Sequence, residues 1–210
     1  MKLIGIGYRK WAIEIYKNIS KKKKIKIFQT KKIPIKKINK INPDYIFFYG
    51  WSWKVSNTIT KKYKCIMLHP SKLPKFAGGS PIQNQIIRNV NNSAITIFRM
   101  NNIIDGGNII FQKKFSLKGS LDDIFERIIK VGTQLTFDLI KKRYVEKRII
   151  VNKKYKRLKP ANSEITINEI KNSNGIYLYN KIRMLQDPYP NPYIKTKDNK
   201  KLIIKKVILK

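Results

Sequence analysis

The chain has 210 residues, 42 % hydrophobic and 11 % aromatic, enough apolar material for one domain with a small appendage and too much for a disordered chain. Its formal charge is +35, from 47 Lys+Arg against 12 Asp+Glu. The single cysteine, Cys65, excludes an internal disulfide and a cysteine-based zinc site and fits a reducing cytoplasm, and no apolar run reaches the roughly 18 residues of a membrane span.

Lys2–Gly7 reads as a short buried strand, and Tyr8–Ile19 as a helix with Trp11, Ala12, Ile15, Tyr16 and Ile19 along one face. Gly5-x-Gly7 carries two glycines of a dinucleotide fingerprint. Lys10 occupies the third position, however, and no acid stands where a ribose would need it, so NAD binding is excluded. Gly7 fits a tight turn at which a ligand can approach the backbone. Lys24–Thr30 alternates as a strand, Ile33–Asn42 is a partly helical connection, and Asp44–Tyr49 is a strand closed by Gly50-Trp-Ser-Trp53. Val55–Lys62 gives a helical turn or two. The apolar run Cys65–Leu68 then enters a stretch, Met67–Gln83, that holds the only histidine, three of nine prolines and two of ten glycines. Ile82–Val90 reads as a helix. Strands Ala94–Met100 and Asn108–Phe115 flank the loop Asn101–Gly107, and Ser120–Lys142 is a long amphipathic helix with Ser120 as N-cap.

This alternation describes an α/β fold: a Rossmann-like, mostly parallel sheet with helices on both faces over residues 1–150. Residues 151–210 form a small C-terminal module, with a basic linker over Lys153–Lys159, a helix over Ile176–Leu185, a rigid turn over Asp187–Pro192 and a strand over Leu202–Leu209. An exposed apolar strand there is compatible with a homodimer. Lysines are spread over the whole length, and Lys, Ile and Asn are all heavily used. The charge therefore reads more as compositional drift than as a dedicated polyanion site, although its field speeds capture of any anionic small molecule.

His69 is the only side chain that titrates near neutral pH without perturbation. A lone histidine is more often structural than catalytic. This one follows an apolar strand, precedes Pro70 and Pro74, and lies where α/β folds build their sites. Asp105 stands at another strand end in a neutral, glycine-rich loop, although Asp-Gly is also a common turn pair. Trp51 and Trp53 bracket Ser52 at a third strand end, where aromatics pack or wall a flat heterocycle. Cys65 reads as a core residue rather than a nucleophile.

His69-Pro-Ser-Lys-Leu-Pro-Lys-Phe-Ala-Gly-Gly-Ser-Pro-Ile-Gln83, followed by Ile104-Asp-Gly-Gly-Asn-Ile-Ile110, resembles the tetrahydrofolate-dependent formyltransferases, which include glycinamide ribonucleotide, methionyl-tRNA and amino-sugar enzymes. The resemblance implies the formyltransferase fold, N10-formyltetrahydrofolate as co-substrate with no metal, and an amine as acceptor. It makes His69 the proton relay and oxyanion partner, and Asp105 its orienting acid. The pterin falls between two loops, against Gly50, Trp51, Ser52, Trp53 and Val55 on one side and Asn101, Ile103 and Ile104 on the other. Tyr8, Arg9 and Lys10 face the acceptor's diphosphate, and Gly78, Gly79 and Gln83 join them on the acceptor side.

Gly78–Gln83, Arg157–Ile165, Tyr179–Leu185 and Pro188-Tyr-Pro190 resemble the sugar branch, and the chain is short for a methionyl-tRNA enzyme. The implied substrate is a nucleotide-linked amino sugar of cytoplasmic polysaccharide biosynthesis. The alternatives are a tRNA substrate, or a non-catalytic member that binds nucleic acid or sugar nucleotide. One position departs from the family: Met67 stands where an oxyanion-stabilising asparagine is usual, and a thioether donates no hydrogen bond. Either Ser71, Asn84, a backbone N–H or water supplies the donor, or the enzyme is slow or inactive; a substitute donor is the favoured reading, since the rest of the site pattern is intact.

Overall fold

The structure is a computed structural model that describes residues 1–141 and 143–210. β1 (Leu3–Gly7) is buried throughout, and α1 (Lys10–Ser20) follows it, burying the apolar stripe from Trp11 to Ile19. β2 (Ile25–Gln29), α2 (Ile35–Ile41), β3 (Tyr45–Tyr49), α3 (Asn57–Lys62) and β4 (Cys65–His69) continue the alternation. A two-residue strand, β5 (Ala77–Gly78), precedes α4 (Pro81–Ile86). β6 (Asn92–Arg99) and β7 (Asn108–Ser116) form an antiparallel pair, and α5 (Leu121–Lys141) returns across the sheet. Beyond it come β8 (Lys154–Tyr155), a 3-10 turn (Pro160–Ser163), α6 (Ile167–Asn172), α7 (Gly175–Arg183), β9 (Tyr193–Lys195) and β10 (Lys201–Ile203).

Six strands make one sheet in the order β2-β1-β3-β4-β6-β7. The first four are parallel, β6 runs antiparallel to β4, and β7, antiparallel to β6, returns to the direction of the first four at the edge. One face carries α1 and α5 over Phe47, Ile66 and Leu68. The other buries Ile4, Ile6, Phe48 and Met67 with Ile38 of α2 and Ile59 of α3. The β4 register sets Met67 between Phe48 and Phe98. Core hydrogen bonding centres on the Tyr16 hydroxyl, which lies 3.0 Å from Ile6 O and 2.8 Å from Phe47 O and accepts from Tyr49 N at 2.7 Å.

Several sequence expectations are corrected. A Cβ on Gly7 would lie 2.5 Å from Tyr49 O, so this glycine admits the neighbouring strand, not a ligand. The helix expected over Ile82–Val90 stops at Ile86, and Asn89 follows in the left-handed region at φ 56. The strand expected over Leu202–Leu209 is only Lys201–Ile203, because β9, its one partner, is three residues long. α6 has no fully buried residue and therefore no apolar stripe to announce it. Ser120 caps α5 as read: its Oγ accepts from Asp123 N (3.2 Å) while Asp123 Oδ2 accepts from Ser120 N (2.8 Å). That backbone bond is the main cause holding the Asp123 carboxyl below its usual range. Lys142, the expected last residue of that helix, lies outside the described residues. The C-terminal segment is tied to the sheet domain by the β5–β8 pairing and by Arg183 Nη1, which donates to Leu117 O (2.8 Å) and Gly119 O (3.0 Å).

Candidate active site

β4 delivers His69 to the carboxyl edge of the sheet, buried at 6 % exposure. The loop that follows is held rigidly. Thr96 Oγ1 donates to Ser71 O (2.6 Å) and accepts from Leu73 N (3.3 Å) and Gln112 Nε2 (2.9 Å), while Ser71 Oγ donates to Lys75 O (2.7 Å). The loop then turns back so that Phe76 O lies 2.9 Å from His69 Nε2. A carbonyl can only accept, so Nε2 carries the ring's proton in the neutral form and Nδ1 is left as the proton acceptor.

Nδ1 faces Asp105 Oδ1 at 3.5 Å. Asp105 reaches this place from a left-handed backbone, φ 54, a conformation that aspartate tolerates better than most residues. Its other oxygen, Oδ2, accepts from Gly78 N at 2.7 Å. Gly78 has φ 104, and a Cβ on it would meet Tyr155 O at 2.5 Å, so glycine is required for β8 to lie beside β5. The pair therefore stands between the β4 loop, the loop after β6 and the incoming C-terminal segment.

These residues wall a cavity of about 400 Å³, within the range of small-molecule sites. His69, Asp105 and Met67 line it. So do Gly50, Trp51, Ser52, Trp53, Val55, Asn101, Ile103 and Ile104 from the two predicted pterin loops, and Arg9, Gly78, Gly79 and Gln83 from the acceptor set. Four named residues do not. Ser71 is fully buried with its hydroxyl on Lys75 O, which corrects its reading as a donor at the reacting atoms. Lys10 is exposed at the start of α1, and Tyr8 stands behind the wall with its hydroxyl on Ser52 Oγ. Asn84 also points away, its Nδ2 donating to Gly79 O (2.8 Å) and Lys156 O (3.2 Å). Two polar atoms of the lining, Trp51 Nε1 and Gln83 Nε2, are buried without a partner among the described residues, and Gln83 is only 2 % exposed.

Sequence reasoning missed Phe98 and Met100 as walls, and Lys54, Lys154, Tyr155, Arg157 and Tyr189 as well. Phe98 is findable as the cross-strand neighbour of Met67. Lys154 to Tyr189 reach the cavity only through tertiary packing and carry no local signal. Cys65 opens β4 in the middle of the sheet with its Sγ against Ile59 O of α3, and burial pushes its thiol up to about 12, so it is no nucleophile near neutral pH. Among the described residues no group of three or more His, Cys, Asp or Glu could hold a metal ion, and no helix is long and apolar enough to cross a membrane.

The mostly parallel sheet, with a histidine at the end of β4 and an aspartate brought to it by the loop after β6, defines an α/β domain with one paired site. The family follows from comparison: the formyl transferase family model matches residues 5–138, and the chain belongs to that family. It is 32 % identical to a methionyl-tRNA formyltransferase of Rickettsia massiliae (strain Mtu5) over 107 residues, 49 % of this chain and 35 % of the relative. The chain thus spans about a third of the length of the curated relatives it matches. Among solved structures, a methionyl-tRNA formyltransferase from Clostridium thermocellum superposes with a TM-score of 0.90 at 29 % identity, covering 100 % of this chain and 94 % of that one. A 4-N formyltransferase from Francisella tularensis superposes with a TM-score of 0.76 at 18 % identity, covering 100 % and 98 %, a likeness of fold alone.

Proposed function

We propose that the chain moves a formyl group from N10-formyltetrahydrofolate to the amine of a nucleotide-linked amino sugar. The observation that carries this reading is the buried His69–Asp105 pair on the wall of a cavity with a broad apolar side. Trp51, Val55, Met100, Ile103 and Ile104 offer that side to a flat ring, and the unpartnered Trp51 N–H suits a heterocycle acceptor.

In the step itself, the neutral amine's lone pair attacks the formyl carbon and the carbonyl electrons move onto oxygen. The amine nitrogen then gives up a proton. Nδ1 is the ring nitrogen free to take it, and a proton arriving there finds Asp105 Oδ1 as its acceptor. Collapse of the tetrahedral intermediate breaks the bond between carbon and N10, and N10 takes the proton back. Tetrahydrofolate and the formylated amine leave, so atoms and charge balance. On this reading residues 1–150 are the catalytic domain, working in the cytoplasm, and residues 151–210 the module that closes its mouth.

The test is incubation with N10-formyltetrahydrofolate and a panel of dTDP- and UDP-linked 4-amino sugars, following tetrahydrofolate release and a product heavier by one formyl group. His69→Ala should abolish turnover with the fold intact, since the side chain contacts only Phe76 O and Asp105 by hydrogen bond or ion pair. A fully active variant would refute the site.

A second acceptor, methionyl-tRNA, is favoured by the +35 charge and by the Clostridium thermocellum likeness. That protein is matched over 94 % of its own length, so shortness does not separate the two branches. Turnover of methionyl-tRNA with none of the sugars would select it.

A further inference from the structure

The cavity is lined by four cationic side chains, Arg9, Lys54, Lys154 and Arg157, against one carboxylate. That carboxylate, Asp105, is already bonded to Gly78 N and faces His69. Elsewhere a half-buried arginine is compensated: Arg99 Nε donates to Glu146 Oε1 at 2.6 Å. Arg9 and Arg157 have no acidic partner among the described residues. Arg9 lies over two tyrosine rings, 5.0 Å from the Tyr8 centroid and 5.5 Å from that of Tyr189, with its N–H edge uncommitted. Arg157 uses one of its donors, Nη1 to Ser52 Oγ at 3.2 Å, and a guanidinium has five. Ser52 Oγ also bonds the Tyr8 hydroxyl. A chain of contacts, Arg157–Ser52–Tyr8–Arg9, thus holds two like charges at one mouth. Like charges so placed repel, and the chain gains from bringing them together when an anion lies between them.

We propose that Arg9 and Arg157 form a two-guanidinium clamp for the diphosphate of the acceptor. The proposal rests on the nucleotide-sugar reading above and replaces the expected Tyr8–Arg9–Lys10 set: Tyr8 acts as a support behind the wall and Lys10 is not involved. Planar forks match phosphate oxygens bidentately, and two of them suit two phosphoryl groups. The placement also suits the chemistry. A Cβ on Gly79 would lie 2.5 Å from Arg157 N, so the Arg157 backbone rests on Gly79, the neighbour of the glycine that bonds Asp105. Both guanidiniums line the same cavity as His69 and Asp105, so an amine carried on a phosphorylated sugar could reach the pair while its anion meets the clamp. Arg157 lies outside the stretch matched by the family model, so the C-terminal segment supplies half of the anion site and with it acceptor selectivity.

The test titrates the full chain with inorganic pyrophosphate, with uridine diphosphate and with a short single-stranded RNA, at physiological ionic strength, where fields of distant charges are screened beyond about 8 Å. Binding is read by calorimetry and by fluorescence of Trp51 and Trp53, which flank Ser52. Arg9→Met and Arg157→Met should each weaken uridine diphosphate and pyrophosphate by roughly 10- to 100-fold, the range for losing a charge-assisted hydrogen-bonded contact. Arg157→Lys should lose less, and Lys36→Met, a change at an exposed residue on α2, should lose nothing. If Arg157→Met fails to fold by circular dichroism, Arg157→Lys and Ser52→Ala carry the test and must each weaken pyrophosphate. Equal losses in Lys36→Met and the arginine variants, no loss in the arginine variants, or Arg157-dependent binding of RNA alone would overturn the clamp. Arginine-dependent pyrophosphate binding with no formyl transfer to any amino sugar would uphold the clamp and remove the catalytic reading instead.

Discussion

Met67→Asn tests the site at its weakest point. Met67 is 9 % exposed, lies between Phe48 and Phe98 in the sheet, and lines the cavity. Replacing it has two separable effects. The apolar burial of a methionine, about 1.5–3 kcal/mol, is lost. The new amide has Phe48 and Phe98 on either side, so any donor or acceptor it leaves unpaired adds about 1–3 kcal/mol. Together these give a destabilisation of about 2.5–6 kcal/mol, which lowers Tm by roughly 5–24 °C in a chain of this size. In the other direction, a side-chain amide two residues before His69 on the same strand face can donate to the formyl oxygen as charge develops, and one such donor is worth about 10²–10³ in kcat. The variant is therefore expected to be less stable and faster. Urea and thermal melts give the first quantity, and tetrahydrofolate release under saturating substrates gives the second. A folded variant that loses stability with kcat unchanged or lower would show that residue 67 does not face the reacting oxygen.

Asp105→Asn keeps a side chain that tolerates φ 54 and an oxygen for Gly78 N, but removes the charge 3.5 Å from His69 Nδ1. We expect kcat to fall by about 10²–10³ with KM for folate little changed, and an equally active variant would remove Asp105 from the mechanism. Tyr16→Phe strands a buried Tyr49 N–H and two carbonyls, so the urea midpoint should drop by the equivalent of about 1–3 kcal/mol without loss of the sheet by circular dichroism. Cys65 should resist iodoacetamide in the native state at pH 8, because burial holds its thiol protonated until about pH 12, and should react quickly once the chain is unfolded. Rapid native labelling would mean that α3 opens away from the start of β4.

How much of this was legible depended on whether the signal was local. β1, β3 and β4 announced themselves because both their faces are buried, which leaves continuous apolar runs such as Tyr45–Tyr49. Strand parity was legible as well. Positions 67 and 69 share a face of β4, so a reader of the sequence can see that whatever stands at 67 accompanies His69 into the site. Ser71 breaks that logic. It continues the same odd numbering, but the strand ends at His69 and the Pro70 turn buries Ser71 behind the loop, where it bonds Lys75 O. Parity is a property of extended backbone and says nothing two residues past its end. Arg157 is the complementary case. Its segment pairs with the site loop over only two residues, Ala77 with Lys154 and Gly78 with Tyr155, and so short a ladder leaves no alternation to read. The trace it leaves is in the partner: Gly78 and Gly79 are adjacent positions whose Cβ atoms would collide with backbone at Tyr155 and Arg157. The paired glycines of the sequence thus mark where a distant strand crosses the site, and which strand it is became visible only in three dimensions.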